Sequence, residues 1–314
     1  MMLAGACGAD RDPSPSDPGA SPPAALPEVA PYRVAEGEPA PDVKQAATAY
    51  LETLLTYGDG EGTAEAAAER IAAAGLPAEP AQQAADLLEE SASGAAEVVY
   101  PQLGGLTDTQ ASIMAVTTLH RLGDGELTST TRTIDVRLTR TGEEWAVSEI
   151  ASTGAPGTAP SPSTSPSPLA SSGSTVGAQV VDAPAIHLPD TARWDIEGGG
   201  LDDRMLQILL DLSADHELSV AVLSTGHPHN VFDSASVSNH TNGRAVDIWA
   251  IDGTPVAEYA RDGSGGDNPA RRLMEQALAL GSDEVGGPWS FSTPDGATFT
   301  NTVHQDHLHV GFKR

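Results

Sequence analysis

The sequence predicts an α+β protein of two domains, and three observations carry that reading. Alanine-rich helical periodicity gives way to alternating strands between residues 41 and 152. A second run of helices and strands follows from about residue 180 to 314, across a Pro/Ser-rich stretch at 153–179. At 314 residues the chain also exceeds the usual size of one domain.

The first domain opens with a helix in which Ala47, Tyr50, Leu51, Leu54 and Leu55 recur on one face. The period then changes: Ile134, Val136 and Leu138 alternate with polar neighbours, Thr141-Gly142 supplies a turn, and Trp145 with Val147 continues a second strand. Helices followed by an antiparallel sheet ending in such a hairpin resemble the cone-shaped cystatin-like domains related to nuclear transport factor two. That resemblance rests on pattern and brings no catalytic motif. His120 has no carboxylate or thiol partner nearby in sequence and reads as a solvated or packed histidine.

In the second domain, Asp202 to His216 read as an amphipathic helix through Met205, Leu206, Leu209 and Leu210. Leu218 to Leu223 form a short apolar strand, and Asn268 to Leu280 a further helix with Pro269 in its first turn. Two more strands, Arg244 to Ala250 and Asp306 to Phe312, carry the chemistry.

The formal charge is −28, with 44 acidic against 16 basic residues, and no cationic cluster interrupts it. Nucleic acid and anionic membrane surfaces, which need a basic footprint, are excluded as partners. A single cysteine, Cys7, rules out intramolecular disulfides and thiolate-rich zinc sites. Leu3-Ala4-Gly5-Ala6-Cys7 resembles the end of a bacterial lipoprotein signal, with lipid on the cysteine. The charged and apolar regions that precede such a site are missing, so residues 1–7 read as a signal remnant behind a start site placed too late. Residues 8–40, rich in Pro, Ala, Ser and Asp, then form a disordered tether. The expectation is an extracytoplasmic protein, lipid-anchored or secreted; the alternative for Cys7 is a chance Ala/Gly-rich terminus with a free thiol.

Six of the nine histidines lie between His227 and His309. His240 and Asp247 frame a turn that Gly243 makes without steric cost. On the strand that follows, Val246, Ile248 and Ala250 face the core while Ala245, Asp247 and Trp249 point to the open face. The last strand repeats this, with Leu308, Val310 and Phe312 inward and His307, His309 and Gly311 opposite. If the two strands are neighbours, their ligand-bearing faces meet. Two imidazoles and a carboxylate form an N/O set that suits zinc, and three protein ligands leave a fourth position for water, which marks a catalytic site.

Ser238, His240 and Asp247, followed far downstream by His307 and His309, match the S-x-H-x6-D and H-x-H motifs of a zinc peptidase superfamily. That superfamily includes the bacterial D-Ala-D-Ala metallocarboxypeptidases, the penicillin-insensitive murein endopeptidase and the Hedgehog signalling domain. The resemblance covers about 130 residues. It implies a zinc ion held by His240, Asp247 and His309, and a hydrolase of peptidoglycan peptides cutting next to a D-amino acid. Two departures stand out. Carboxypeptidase members place glutamate three residues before the last ligand, where this chain has Asp306, one methylene shorter; His307 is the first candidate for base or transition-state stabiliser, with support of the site as the alternative. Many relatives carry an arginine in the loop where this chain has His227, which then contacts substrate.

Ser238 and Arg244 are the remaining candidates for substrate binding, against the plainer readings of turn hydrogen bonder and surface ion pair. His229 and His304 read as exposed loop residues, and Trp249 and Trp289 as packing in the cleft wall. The sequence thus supports a zinc peptidase whose N-terminal domain is spacer or binding module. The alternative is a metal-loaded, inactive domain that binds peptidoglycan or a protein partner, with Asp306 as its sign.

Overall fold

A computed structural model describes residues 24–158 and 174–314. Cys7, the signal remnant and the first part of the tether lie outside the described residues, as do 159–173 of the linker. The described chain is mixed α+β, with seven α-helices, one 3-10 helix and largely antiparallel sheets around two hydrophobic cores. No described helix is long and apolar enough to cross a membrane.

Helix α1 spans Pro41–Leu55, with proline in the first turn where a missing N–H costs nothing. Its stripe Ala47, Tyr50, Leu51, Leu54 and Leu55 is buried as the periodicity predicts. Helix α2, Ala64–Ala73, starts on Thr63, whose hydroxyl accepts the Ala66 N–H at 3.1 Å. A 3-10 helix, Glu79–Leu87, leads into four antiparallel strands paired in chain order: β1 Ser93–Leu106, β2 Gln110–Gly123, β3 Glu126–Thr141 and β4 Glu144–Ser152. The expected hairpin is β3–β4, while β1 and β2 lie where no strand is predicted. Ile113, Ile134, Val136 and Leu138 of the sheet pack against α1, each fully buried; burial of such a side chain contributes about 1.5–3 kcal/mol.

The tether and linker boundaries need correction. Residues 24–40 are irregular but held: Tyr32 N–H donates to Glu52 Oε1 at 2.6 Å, Arg261 donates to the Glu36 carbonyl at 2.5 Å, and Glu38 is buried. A few anchoring side chains outweigh a composition that reads as disorder. Helix α3, Thr175–Asp182, likewise begins inside the expected linker, because Ser174 accepts the Gly177 N–H at 3.0 Å and Val180 is buried.

The remainder runs β5 Ile186–His187, α4 Asp190–Gly198, α5 Asp203–Leu212, β6 Leu218–Val222, β7 Ala245–Ile251, β8 Thr254–Pro255, α6 Val256–Arg261, α7 Pro269–Ala279, β9 Glu284–Gly286, a small hairpin of β10 Ser292–Thr293 with β11 Gly296–Ala297, and β12 Leu308–Gly311. Asp202 and Asn268 cap α5 and α7 through their side-chain oxygens. The sheet order is β5-β6-β7-β12-β9 with β8 beside β7; β5 and β6 are parallel and the other pairs antiparallel.

Strands β7 and β12 are therefore neighbours, and His309 stands directly opposite Asp247. Their inward residues Val246, Ile248, Leu308 and Val310 are buried among Leu206, Leu209, Leu273 and Met274. The opposite face is not open, contrary to expectation. Asp247 is 1% exposed because β1 lies across it, with Tyr100 stacked on Trp249 at 4.5 Å and 12°. Trp249 thus packs against β1; Trp289 is half-buried against the C-terminal core.

Candidate metal centre

The centre is built where β6 ends, where β7 begins and where β12 crosses them. After β6, buried Asp195 of α4 accepts the Ser224 and Thr225 N–H groups at 3.0 and 2.8 Å and the Thr225 hydroxyl at 2.6 Å. Burial pushes its carboxyl up against the pull of these bonds. Gly226 follows at φ +93°, where an added Cβ would stand 2.4 Å from the Thr133 carbonyl oxygen; only glycine fits. This turn delivers His227, whose ring stacks on His240 at 4.1 Å and 13° and whose Nδ1–H donates to the Pro228 carbonyl at 2.7 Å. Gly243, at φ +67° with the Gly200 carbonyl oxygen 2.1 Å from a built Cβ, closes the turn between His240 and Asp247.

Three ligand-type atoms converge at the centre. His240 Nε2 lies 3.1 Å from Asp247 Oδ1 and 3.2 Å from His309 Nδ1, and His309 Nδ1 lies 3.1 Å from the same Asp247 oxygen. His240 Nδ1 gives its proton to the Leu223 carbonyl at 2.8 Å, so in the neutral ring Nε2 is bare. His309 Nε2 faces Glu284 at 3.8 Å, which leaves its Nδ1 either to carry a proton or to meet a cation. Burial lowers His309, but the Asp247 and Glu284 carboxylates outweigh it and raise the imidazole to about 9. Asp247 is held well below the usual carboxylate range: burial pushes it up, and His240 and His307 pull it further down. A proton on His309 fills the gap at neutral pH; a metal ion fills it with all three atoms bare.

His227 belongs to the same cluster. Ligand atoms of His227, His240 and Asp247 lie within 4.8 Å of one another, a group able to hold a metal ion. Burial, then the charge of His240, pushes His227 well below the ordinary histidine value, so it is a neutral donor. The loop position expected to touch substrate is therefore itself one of the residues able to hold a metal ion.

Asp306 is placed differently from a base beside a metal. It is fully buried, accepts His307 Nδ1–H at 2.8 Å and the Leu103 N–H at 3.0 Å, and pairs with Lys44 Nζ at 2.6 Å. Burial raises its carboxyl, but Lys44 and His307 more than reverse this and hold it below the usual range. Its carboxylate thus meets Lys44, Leu103 and the other catalytic candidate, His307, among the described residues, and His307 stands between it and Asp247. His307 Nε2 remains 3.7 Å from Asp247 Oδ2.

The centre opens into a cleft of about 580 Å³. One wall is Leu103, Gly104 and Met114 of the N-terminal sheet; the other includes Val237, Phe299 and His304. Ser238 lines the cleft, and its Oγ accepts the His240 N–H at 3.2 Å, the turn-bonding role. Arg244 instead donates to Asn239 Oδ1 at 3.1 Å, and Asn239 donates in turn to Glu284, so Arg244 braces the site from behind. His229 is an exposed loop residue; His304 is half-buried against Phe299 and 4.9 Å from the His307 ring. His120 bonds Ser129 at 2.8 Å on the N-terminal sheet.

Sequence reasoning missed Lys44, Gln102 and Glu284. Gln102 is fully buried and donates from Nε2 to Asp247 Oδ2 at 2.7 Å. Lys44 had a signal, since a charged residue falls on the apolar stripe of α1 three and seven residues before Ala47 and Leu51. Gln102 and Glu284 had none. No protein-family model, curated protein or solved structure matches this chain.

Proposed function

We propose that this chain is a zinc-dependent peptidase of bacterial cell-wall peptides, of the D-Ala-D-Ala carboxypeptidase or murein endopeptidase type. One observation carries the reading: two imidazole nitrogens and a carboxylate oxygen, 3.1–3.2 Å apart, at the floor of a cleft. Tetrahedral zinc with bonds of 2.0–2.1 Å has ligand-to-ligand edges of about 3.3 Å, so the donor set fits that ion. His240, Asp247 and His309 would hold it. A zinc ion held there would supply Lewis-acid polarisation of the scissile carbonyl and would lower the pKa of the attacking water.

The chain's own residues do the rest. His307, held by Asp306 through Nδ1, takes a proton from the attacking water on Nε2 and returns it to the leaving amine. His227, neutral and with its Nδ1–H spent on the Pro228 carbonyl, offers a bare Nε2 that accepts from the substrate at the same mouth. Cystatin-like and peptidase-like domains, an extracytoplasmic location and a lipid on Cys7 belong to this reading and are supported by the sequence motifs and the tether composition.

The test is metal content and hydrolysis of D-Ala-D-Ala-terminated and cross-linked muropeptides by the full chain. One zinc per chain, lost in His309→Ala, is expected, with turnover down about 10²–10⁴-fold in metal-replete His307→Ala. Zinc without hydrolysis favours the second reading, a binding domain, for which the sealing of Asp306 by Lys44 speaks. Absence of zinc overturns both.

A further inference from the structure

Strand β1 is bent where it crosses the metal centre. Its register with β2 shifts between Val98 and Tyr100 and again between Leu103 and Gly105, and such irregularities re-aim side chains. The segment between the shifts makes successive contacts with the site: Tyr100 stacks on Trp249 and donates to the Asp306 carbonyl at 3.3 Å, Gln102 donates to Asp247, and the Leu103 N–H donates to Asp306.

Gln102 is the contact that touches a ligand. Its side chain is fully buried and its Oε1 has no hydrogen-bond partner among the described residues. A residue placed there for packing alone would be better as Met or Leu, since a buried unpartnered carbonyl costs stability. The amide orientation follows from the contact, because a flipped Gln102 would set two acceptors 2.7 Å apart. Asp247 is thereby divided: Oδ1 faces His240 and His309, while Oδ2 is tied to Gln102.

We infer that Gln102 is a positioning residue for the metal centre, supplied by the N-terminal sheet, which holds Asp247 as a one-oxygen ligand. The inference rests on the metal reading above. The N-terminal half is then part of the site and more than a spacer, and the C-terminal segment alone lacks a contact that its ligand needs. Partners that orient a ligating carboxylate typically change metal affinity by about 10–100-fold.

The experiment uses the full chain, with Zn²⁺ titrated against a chromophoric chelator, the visible spectrum of the Co²⁺ form, and the melting temperature of the metal-free chain. Gln102→Met, of similar length but without a donor, is expected to bind zinc about 10–100-fold more weakly and to shift the Co²⁺ bands, while the metal-free chain still unfolds cooperatively at a melting temperature lowered by the lost donor to buried Asp247. Arg261→Ala, which loosens the contact to the Glu36 carbonyl away from the site, keeps wild-type zinc affinity. Should Gln102→Met not fold, Gln102→Asn, whose amide falls one methylene short of Asp247, is expected to show the same loss. Zinc affinity within twofold of wild type in the folded variant overturns the inference while leaving the metal reading intact. A wild-type chain that takes no zinc overturns both.

Discussion

Substituting Lys44 by Met removes the lysine that pairs with both Glu38 and Asp306 in a buried cluster of charges. Lys44 and Asp306 side chains are 0% exposed, and Glu38, which also pairs with Lys44, is 4% exposed. Breaking a buried pair by deleting one partner costs about 3–5 kcal/mol, because the remaining charge is stranded in a poorly solvating interior. Here two carboxylates lose the same partner. Asp306 keeps the Leu103 N–H and His307, and Glu38 keeps the hydroxyl of Tyr32 and shares that of Tyr100 with the Asp306 carbonyl, which offsets part of the loss. The expected destabilisation at neutral pH is about 4 kcal/mol, and Lys44→Met/Asp306→Asn should recover about half of it by removing one charge.

The pH dependence fixes the cause. In the wild type the Asp306 carboxyl is held below its ordinary value of 3.8, so its contribution is present above that pH and is lost as pH falls through the depressed value. In Lys44→Met the sign reverses: an unpaired buried carboxylate titrates above its unfolded value, so the penalty is largest at neutral pH and shrinks toward pH 4. Denaturant unfolding of the metal-free chain, in the presence of a chelator, at pH 7.5 and pH 4.5 measures both quantities. A loss under about 1 kcal/mol, the range of an exposed pair, or a penalty equal at the two pH values, would refute the reasoning.

Two further expectations follow from the site. His309 is raised to about 9 in the metal-free chain, so its imidazolium contributes stability that is complete below about 6.5 and lost as pH rises through about 9. Metal uptake at pH 7.5 should therefore expel close to one proton, and calorimetry in buffers of different ionisation enthalpy should show that release fading above pH 10; no proton release at pH 7.5 would contradict the assignment. Gly226→Ala forces a side chain into φ +93° against the Thr133 carbonyl, a strain of order 1–3 kcal/mol; a lowered melting temperature and weakened peptide hydrolysis are expected, and an unchanged melting curve would show that the turn is not so constrained.

The sequence made the strand pair legible because alternation along Arg244–Ala250 and Asp306–Phe312 is a local property, and the register placing His309 opposite Asp247 followed once the two became neighbours. Helix α5 and helix α7 were equally readable, since Asp202 and Asn268 are strong N-caps ahead of apolar stripes. What could not be read is long-range. Gln102 meets Asp247 across 145 residues and Leu103 meets Asp306 across 203, and no local period encodes which sheet will cover a polar strand face. Strands β1 and β2 were lost for a local reason: several of their core-facing residues, Ala96, Ala111 and Ala115 among them, are small side chains that blur the alternation by which strands are recognised. The partners of Asp306 were equally beyond reach, because spacing reports which residue stands near a ligand but not that Lys44 and Leu103 will meet its carboxylate.

If Asp247 ligates a metal ion, its bond to Gln102 makes docking of β1 and metal occupancy mutually dependent. If the covering strand strengthens metal binding by some factor, metal binding must strengthen the covering by the same factor, since linkage between equilibria is reciprocal. A ligand that prised β1 from its seat would loosen an ion held at Asp247 without touching it, and loss of that ion would weaken the seam by the same factor, leaving the Tyr100–Trp249 and Leu103–Asp306 contacts in place.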